Sequence, residues 1–240
     1  MNRIIVTAGE VGPGGLVHLD DARFAHIREV LRADVGDRVR AGVLRGALHD
    51  GARIAEIDGH HCVLELGEGR EPPPPPRVDL LLALPRPKCM KRLWPQLAAM
   101  GVGRIFIVNA EKVEPEYWGA QVLREKVYMP LVVDGLAQAG DTRVPEIRVE
   151  RRLKPLLEDE IGVMYGTGCK FIAHPGDCWP SEHLTGEGLI VAVGPEGGWS
   201  TYELDMFSDN GFIRMGLGER TLRTDTACIA LIAVIKKALL

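Results

Sequence analysis

Two glycine-bearing stretches near the carboxyl end hold the residues best placed to do chemistry. "GPEGGWS", Gly194 to Ser200, follows the apolar run Leu189 to Val193, and "MGLGERTLRTDTA", Met215 to Ala227, closes the next run and leads into the last helix. The β-branched run before Gly194 predicts a strand buried on both faces. Ser200 with Glu203 fits a capping box, so a helix is predicted to begin at Thr201. The glycines therefore lie between a strand end and a helix start, where backbone N–H groups lack partners and a ligand can approach the chain closely. One such turn alone reads equally well as a tight connection. Two at the carboxyl ends of neighbouring strands can build one crevice, the usual ligand position in an open α/β sheet.

The loops offer backbone donors and acceptors more than charged side chains, which suits a neutral or zwitterionic adenosyl ligand better than a triphosphate. Other chemistries lack their residues. No G-x-x-x-x-G-K-[ST] phosphate loop, G-x-G-x-x-G after a first strand, G-x-S-x-G or H-E-x-x-H occurs. His60 and His61 are adjacent in an expected hairpin and point to opposite faces if extended, which argues against a metal. Cys62, Cys89, Cys169, Cys178 and Cys228 are odd in number, scattered and without a C-x-x-C pair, so reduced thiols and no metal are expected. The net charge of −4 argues against a nonspecific nucleic-acid coat. It leaves room for local basic patches at Arg86, Lys88, Lys91 and Arg92, at Arg151, Arg152 and Lys154, and at Arg23, Arg28 and Arg32.

The elements that must position these loops fall on either side of "PPPPP", Pro72 to Pro76, a stiff run that neither a helix nor a sheet interior accepts. Residues 1–71 read as a small β-barrel of short alternating strands, 72–76 as a linker and 77–240 as an α/β domain with a parallel sheet. One helix interrupts the barrel. Phe24, Ile27, Val30 and Leu31 recur at helical spacing and set Arg28 and Arg32 four apart on a neighbouring face. Pro95 and Pro130 fall inside two predicted helices and are expected to kink or break them. The final segment from Thr224 is apolar nearly all round, with Thr224 as its cap and Lys236 and Lys237 near its end, and is expected to be buried, against a partner chain among other options. No stretch has the length and apolarity of a membrane helix or the make-up of a signal peptide, so a cytoplasmic protein is expected.

"VAVGPEGGWSTYE" with "MGLGERTLRTDTA" resembles the signature of the bacterial uridine N3 methyltransferases of small-subunit ribosomal RNA, a family of the SPOUT class with a deep trefoil knot. "HIREVLRADVGDRV", "LALPRPKCMKRLWPQLAAMGVGRIFIV" and "QAGDTRVPEI" extend the resemblance over nearly the full length. It implies a PUA-like RNA-binding barrel, a knotted methyltransferase domain and a homodimer acting on small-subunit rRNA or the assembled small ribosomal subunit. It also implies S-adenosyl-L-methionine bound by Gly194, Pro195, Glu196, Gly197 and Gly198 in the first loop and by Leu217, Gly218, Leu222, Arg223 and Thr224 in the second. For Leu217 and Leu222, core packing is an equal alternative. Arg223 is the candidate cation and Glu196 the candidate base for loss of the uridine proton, although a glutamate at a helix start is as often structural. Arg28, Arg32, Arg86, Lys88 and Lys91 are the expected RNA contacts. A related enzyme with another RNA target, and a catalytically silent RNA binder, stay open. The chain departs from the family pattern at Ala99 and Met100, on the expected substrate side.

Overall fold

The structure is a computed structural model that describes residues 2–74, 78–166, 168–176 and 188–239. Pro75 and Pro76 of the proline run and Cys178 lie outside the described residues. The chain divides into two compact units: the residues up to Pro74 together with Val132–Val144, and the remainder.

The first unit holds strands β1 (Ile4–Val6), β2 (Leu16–Leu19), β3 (Arg38–Val43), β4 (Leu48–Ile57) and β5 (Cys62–Glu65) in one sheet, ordered β1-β3-β4-β5-β2. β1 runs parallel to β3 and the other pairs are antiparallel. Among the described residues no ladder joins β1 to β2, so the strands pair as a mixed sheet whose two edges, β1 and β2, are three and four residues long. Alternation buries Val17, Leu19, Ile54 and Leu64 in a core completed by Phe24 and Ile27.

Phe24 and Ile27 come from α1 (Ala22–Ala25), which opens into a π-helical turn at His26–Leu31 and stops at Arg32, whose φ is 52°. In a π turn the hydrogen bonds skip to i+5 and the 3.6-residue repeat is lost. Val30 and Leu31, expected beside Ile27 in the core, are exposed for that reason. Arg23 does not serve a basic patch, because it pairs with Glu10 and Asp21. Its hydrogen bond holds the Glu10 carboxyl down at about 2, against an ordinary 4.5. A depressed folded-state value stabilises the fold above 4.5, and that contribution is lost as pH falls from 4.5 towards 2. Glu10→Gln is therefore expected to lower stability at neutral pH and to flatten the acid limb of a denaturation-midpoint titration; an unchanged limb would show the pair to be idle.

The second unit is built on six parallel strands, β6 (Val78–Ala83), β7 (Arg104–Val108), β8 (Glu146–Glu150), β9 (Cys169–Ala173), β10 (Leu189–Val193) and β11 (Ile213–Met215), ordered β11-β9-β10-β6-β7-β8. The parallel sheet read from the sequence is thus present. β6 and β10 are buried along their whole length, as a central strand covered on both faces must be. Asp79 is the polar exception in β6. Its carboxylate accepts the Tyr165 hydroxyl at 2.6 Å and the Arg104 N–H at 2.7 Å, while burial pushes its pKa above the usual carboxylate range.

α2 (Pro87–Ala99) starts on a proline, which needs no N–H there, and buries Met90, Leu93, Trp94 and Leu97. It continues through Pro95, and α3 (Glu125–Ala139) continues through Pro130, so of the expected kink or break neither proline makes the break. Around Pro95 the packing holds the turn: Trp94 is fully buried, donates its indole N–H to Val122 O at 3.0 Å and lies 4.9 Å from the Tyr128 ring. α4 (Leu153–Pro155), a π turn and α5 (Gly162–Tyr165) precede β9, and α6 (Thr201–Asp209) starts where the capping box predicts.

α7 (Thr224–Ala238) buries Thr224, Cys228, Leu231, Ile232 and Ile235 on one face, whereas Val234 on the other is exposed. The helix is therefore buried on one side only. Arg223, not Thr224, occupies its N-cap, and the Thr224 hydroxyl turns towards Gly194 O at 3.5 Å. Lys236 reaches the C-cap carbonyl of α2, Met100 O, at 2.6 Å, a cation at the negative end of a neighbouring helix.

Candidate active site

β10 and β11 are not neighbours as expected, since β9 lies between them, yet the loops leaving all three strands converge. The backbone closes them on one another: His174 N donates to Met215 O at 2.8 Å and Gly176 N to Gly218 O at 3.1 Å. Between them lies a crevice of about 350 Å³ at the carboxyl edge of the sheet. Gly198 N closes the first loop onto Pro195 O at 2.8 Å, and the chain then passes through φ of 68° at Gly198; Gly218 in the second loop has φ of 96°, both in the left-handed region that favours glycine.

The first loop is held from behind by buried Glu203. One carboxylate oxygen accepts the Ser200 N–H, completing the capping box, and the other accepts the Glu111 N–H, both at 2.8 Å. Next to Glu111, Lys112 runs its stem under Gly197 and donates Nζ to Gly197 O at 2.9 Å and Trp199 O at 3.4 Å. Lys112→Met should leave the melting temperature nearly unchanged and weaken crevice ligands by about three- to tenfold, the net worth of one ordinary hydrogen bond, since water competes for this exposed ammonium. Titration calorimetry with Lys112→Arg as the rescuing control measures this, and equal affinities would relieve Lys112 of the role.

Nine of the residues expected at a cofactor line the crevice: Gly194, Pro195, Glu196, Gly197 and Gly198 from one loop, Leu217, Gly218, Leu222 and Thr224 from the other. Leu217 and Leu222 are 39% and 38% exposed, so they form an open apolar wall and are not core. Arg223 stands outside the lining as the exposed N-cap of α7, and Arg220 of the same loop is in it. Glu196 Oε1 accepts the Arg86 N–H at 3.1 Å, which gives the carboxylate a fixed place at the start of α2. Arg86, Lys88 and Lys91 are exposed around that helix start, while Arg92 pairs with Asp225 at 2.6 Å and holds that carboxyl below its ordinary value. In the first unit Arg28 and Arg32 are exposed, and Arg28 donates to Gly59 O and Glu29.

Sequence reasoning passed over His174, Trp199 and Arg220. The strand-end rule that found the other two loops would also have found His174, at the end of β9. None of the described cysteines is in a disulfide, and burial pushes the Cys62 and Cys89 thiols up to about 11, far from thiolate at neutral pH. His61 gathers with Glu56 and Asp58 at an exposed turn, where the Asp58 carboxylate accepts the His60 and His61 N–H groups.

A glycine-walled crevice at the carboxyl edge of a parallel sheet defines an α/β domain made to seat a small ligand against its backbone. The chain belongs to the RNA methyltransferase family, whose domain matches residues 72–236. It is similar to ribosomal RNA small subunit methyltransferase E of Treponema pallidum, at 29% identity over 98% of this chain and 90% of the relative. A second relative, ribosomal RNA small subunit methyltransferase E 1 of Borreliella burgdorferi, is 23% identical over 96% of this chain and 95% of its own length. The fold is shared with the ribosomal RNA small subunit methyltransferase E of Neisseria gonorrhoeae, solved bound to S-adenosyl methionine. That match has a TM-score of 0.78 and 24% identity, covering 99% of this chain and 97% of the other. The family resemblance read from the loop motifs is thereby borne out.

Proposed function

We propose that the chain transfers a methyl group from S-adenosyl-L-methionine to N3 of a uridine in small-subunit rRNA. The observation that carries this reading is the crevice itself, where two glycine loops and the exposed Leu217 and Leu222 meet with few charges pointing in. Such a wall fits an adenosyl group: the leucines offer apolar faces to a base, and the bent backbone offers N–H and C=O groups to its edges. The Neisseria protein and a putative methyltransferase of Legionella pneumophila were both solved with S-adenosylmethionine, and this supports the same ligand here. When bound, that ligand supplies an electrophilic methyl group on a sulfonium.

The chain's own part is positioning, which can remove several kcal/mol from the barrier, on the order of 7–11 in favourable cases. The uridine must also lose its N3 proton. Glu196, oriented by the Arg86 N–H, is the candidate acceptor, and Arg223 at the rim is the candidate cation for the resulting anion. Arg28, Arg32, Arg86, Lys88 and Lys91 are proposed to meet phosphates, so losing any one should weaken RNA binding and reduce its salt dependence.

The first unit, with its mixed sheet, is the proposed PUA-like RNA holder, and the insertion of β10 between β9 and β6 supports a knotted path in the second. Exposed Val234 on α7, with exposed Ile213, supports a homodimer. Among the described residues no helix is long and apolar enough to cross a membrane, and a ribosomal RNA substrate is met in the cytoplasm. The test is transfer of labelled methyl to small subunits and to naked rRNA lacking the modification, with the product nucleoside identified by mass. Methyl on uridine N3 supports the reading. Methyl on another atom or RNA points to a related activity, and ligand binding without transfer to a silent binder.

A further inference from the structure

We infer that the indole N–H of Trp199 is a ligand donor, held for a hydrogen-bond acceptor on the adenosyl group of the crevice ligand; this rests on the cofactor reading above. Trp199 is only 7% exposed, its ring forms part of the crevice wall, and its Nε1 is buried with no hydrogen-bond partner among the described residues. The other two described indole donors, on buried Trp94 and half-buried Trp118, are satisfied. Trp94 donates to Val122 O at 3.0 Å and Trp118 to Asn109 Oδ1 at 2.9 Å. A buried donor without an acceptor is costly and therefore rare, and it calls for a reason such as a partner that arrives with the ligand.

The ring is held where that reason operates. It packs edge-on against Phe207 at 4.8 Å, which fixes its far side, and its Cδ1, bonded to Nε1, lies 3.3 Å from where a Cβ on Gly194 would sit. The pyrrole edge thus faces the start of the first glycine loop. The Trp199 carbonyl is already engaged by Lys112, so the residue is tethered on its main chain while its side-chain donor stays uncommitted. Acceptors of the right kind on an adenosyl ligand are the ring nitrogens and the ribose oxygens.

Trp199→Phe in the full chain keeps an aromatic ring at this position, removes the N–H donor and shortens the side chain by the fused ring. Calorimetric titration with S-adenosylmethionine and S-adenosylhomocysteine should show about five- to tenfold weaker binding of both, the usual loss for one hydrogen bond. In methyl transfer KM for the cofactor should rise by the same factor with kcat nearly unchanged, and the ligand-free protein should melt no lower than wild type. A second readout needs no variant fold: the Trp199 indole ¹H–¹⁵N resonance of the wild-type chain, identified by its loss in Trp199→Phe, should move downfield on saturation. Wild-type affinity in Trp199→Phe, or an indole resonance that stays put, would overturn the inference alone. A wild-type chain that binds neither ligand would overturn the cofactor reading, and the inference with it.

Discussion

Gly194→Ala is expected to weaken the crevice's hold on its ligand while the chain stays folded. A Cβ built on Gly194 comes within 3.3 Å of Gly198 C and Cα and of Trp199 Cδ1. Two of those atoms are backbone in the turn that Gly198 N closes on Pro195 O, so relief must come from moving the loop. The shift needed is small, but a misplacement of about 1 Å at a positioned site can cost about a hundredfold, so a fraction of that is expected to be felt. We expect cofactor affinity and kcat/KM each to fall by about tenfold, with a stability loss of about 1 kcal/mol. Titration calorimetry, single-turnover transfer and thermal melting separate these effects. Gly59→Ala, where an added Cβ meets nothing within 4 Å, is the control. Cofactor affinity within twofold of wild type in Gly194→Ala would sink the argument that the loop works by close backbone approach.

Glu203→Ala should produce the largest stability loss of the substitutions considered. Its two carboxylate oxygens serve the Ser200 and Glu111 N–H groups, and its side chain is buried. Truncation leaves two donors without acceptors, at about 1–3 kcal/mol each. For a chain of this size about 1 kcal/mol corresponds to about 2–4 °C, so a fall of roughly 4–24 °C in Tm is expected. Glu203→Gln keeps one acceptor and turns an amide N–H₂ towards the other donor, so its loss should be intermediate. Ser200→Ala removes only the cap, worth about 1 kcal/mol. A Glu203→Ala melting temperature within a degree or two of wild type would show that those donors find other partners.

Much of the site could be read from the sequence because its signals are local. The run at Leu189 to Val193, the glycines after it and the Ser200–Glu203 box each depend on neighbours a few residues away, and each is where pattern placed it. Signals that depend on distant packing were not legible. The π turn at His26–Leu31 rotates Val30 and Leu31 outward, and no 3.6-residue pattern announces it. Pro95 reads as a breaker until Trp94 is seen anchored to Val122 across the fold. The Thr224 hydroxyl looks like a cap, yet its nearest acceptor is Gly194 O in a different loop. Arg223 and Arg220 are three residues apart in one motif, and only the path of the loop decides that Arg220 lines the crevice and Arg223 caps the helix beside it.

The central place of β10 has a consequence for how the chain is made. β10 pairs with β6 in a register that joins Leu189 to Val78, more than a hundred residues earlier in the chain. During synthesis from the amino end, β6, β7 and β8 exist long before the strand that must cover the open edge of β6. Until β10 emerges, that edge offers unpaired N–H and C=O groups on an apolar strand, the kind of surface that recruits other chains. The crevice cannot exist even in outline before that insertion, since its first loop is the continuation of β10. Arrest of translation just short of Leu189 would therefore leave a nascent chain with four of the six strands, neither glycine loop of its site and its stickiest edge uncovered, and the slow, long-range closure that follows is the step at which folding is most exposed to chaperones and to aggregation.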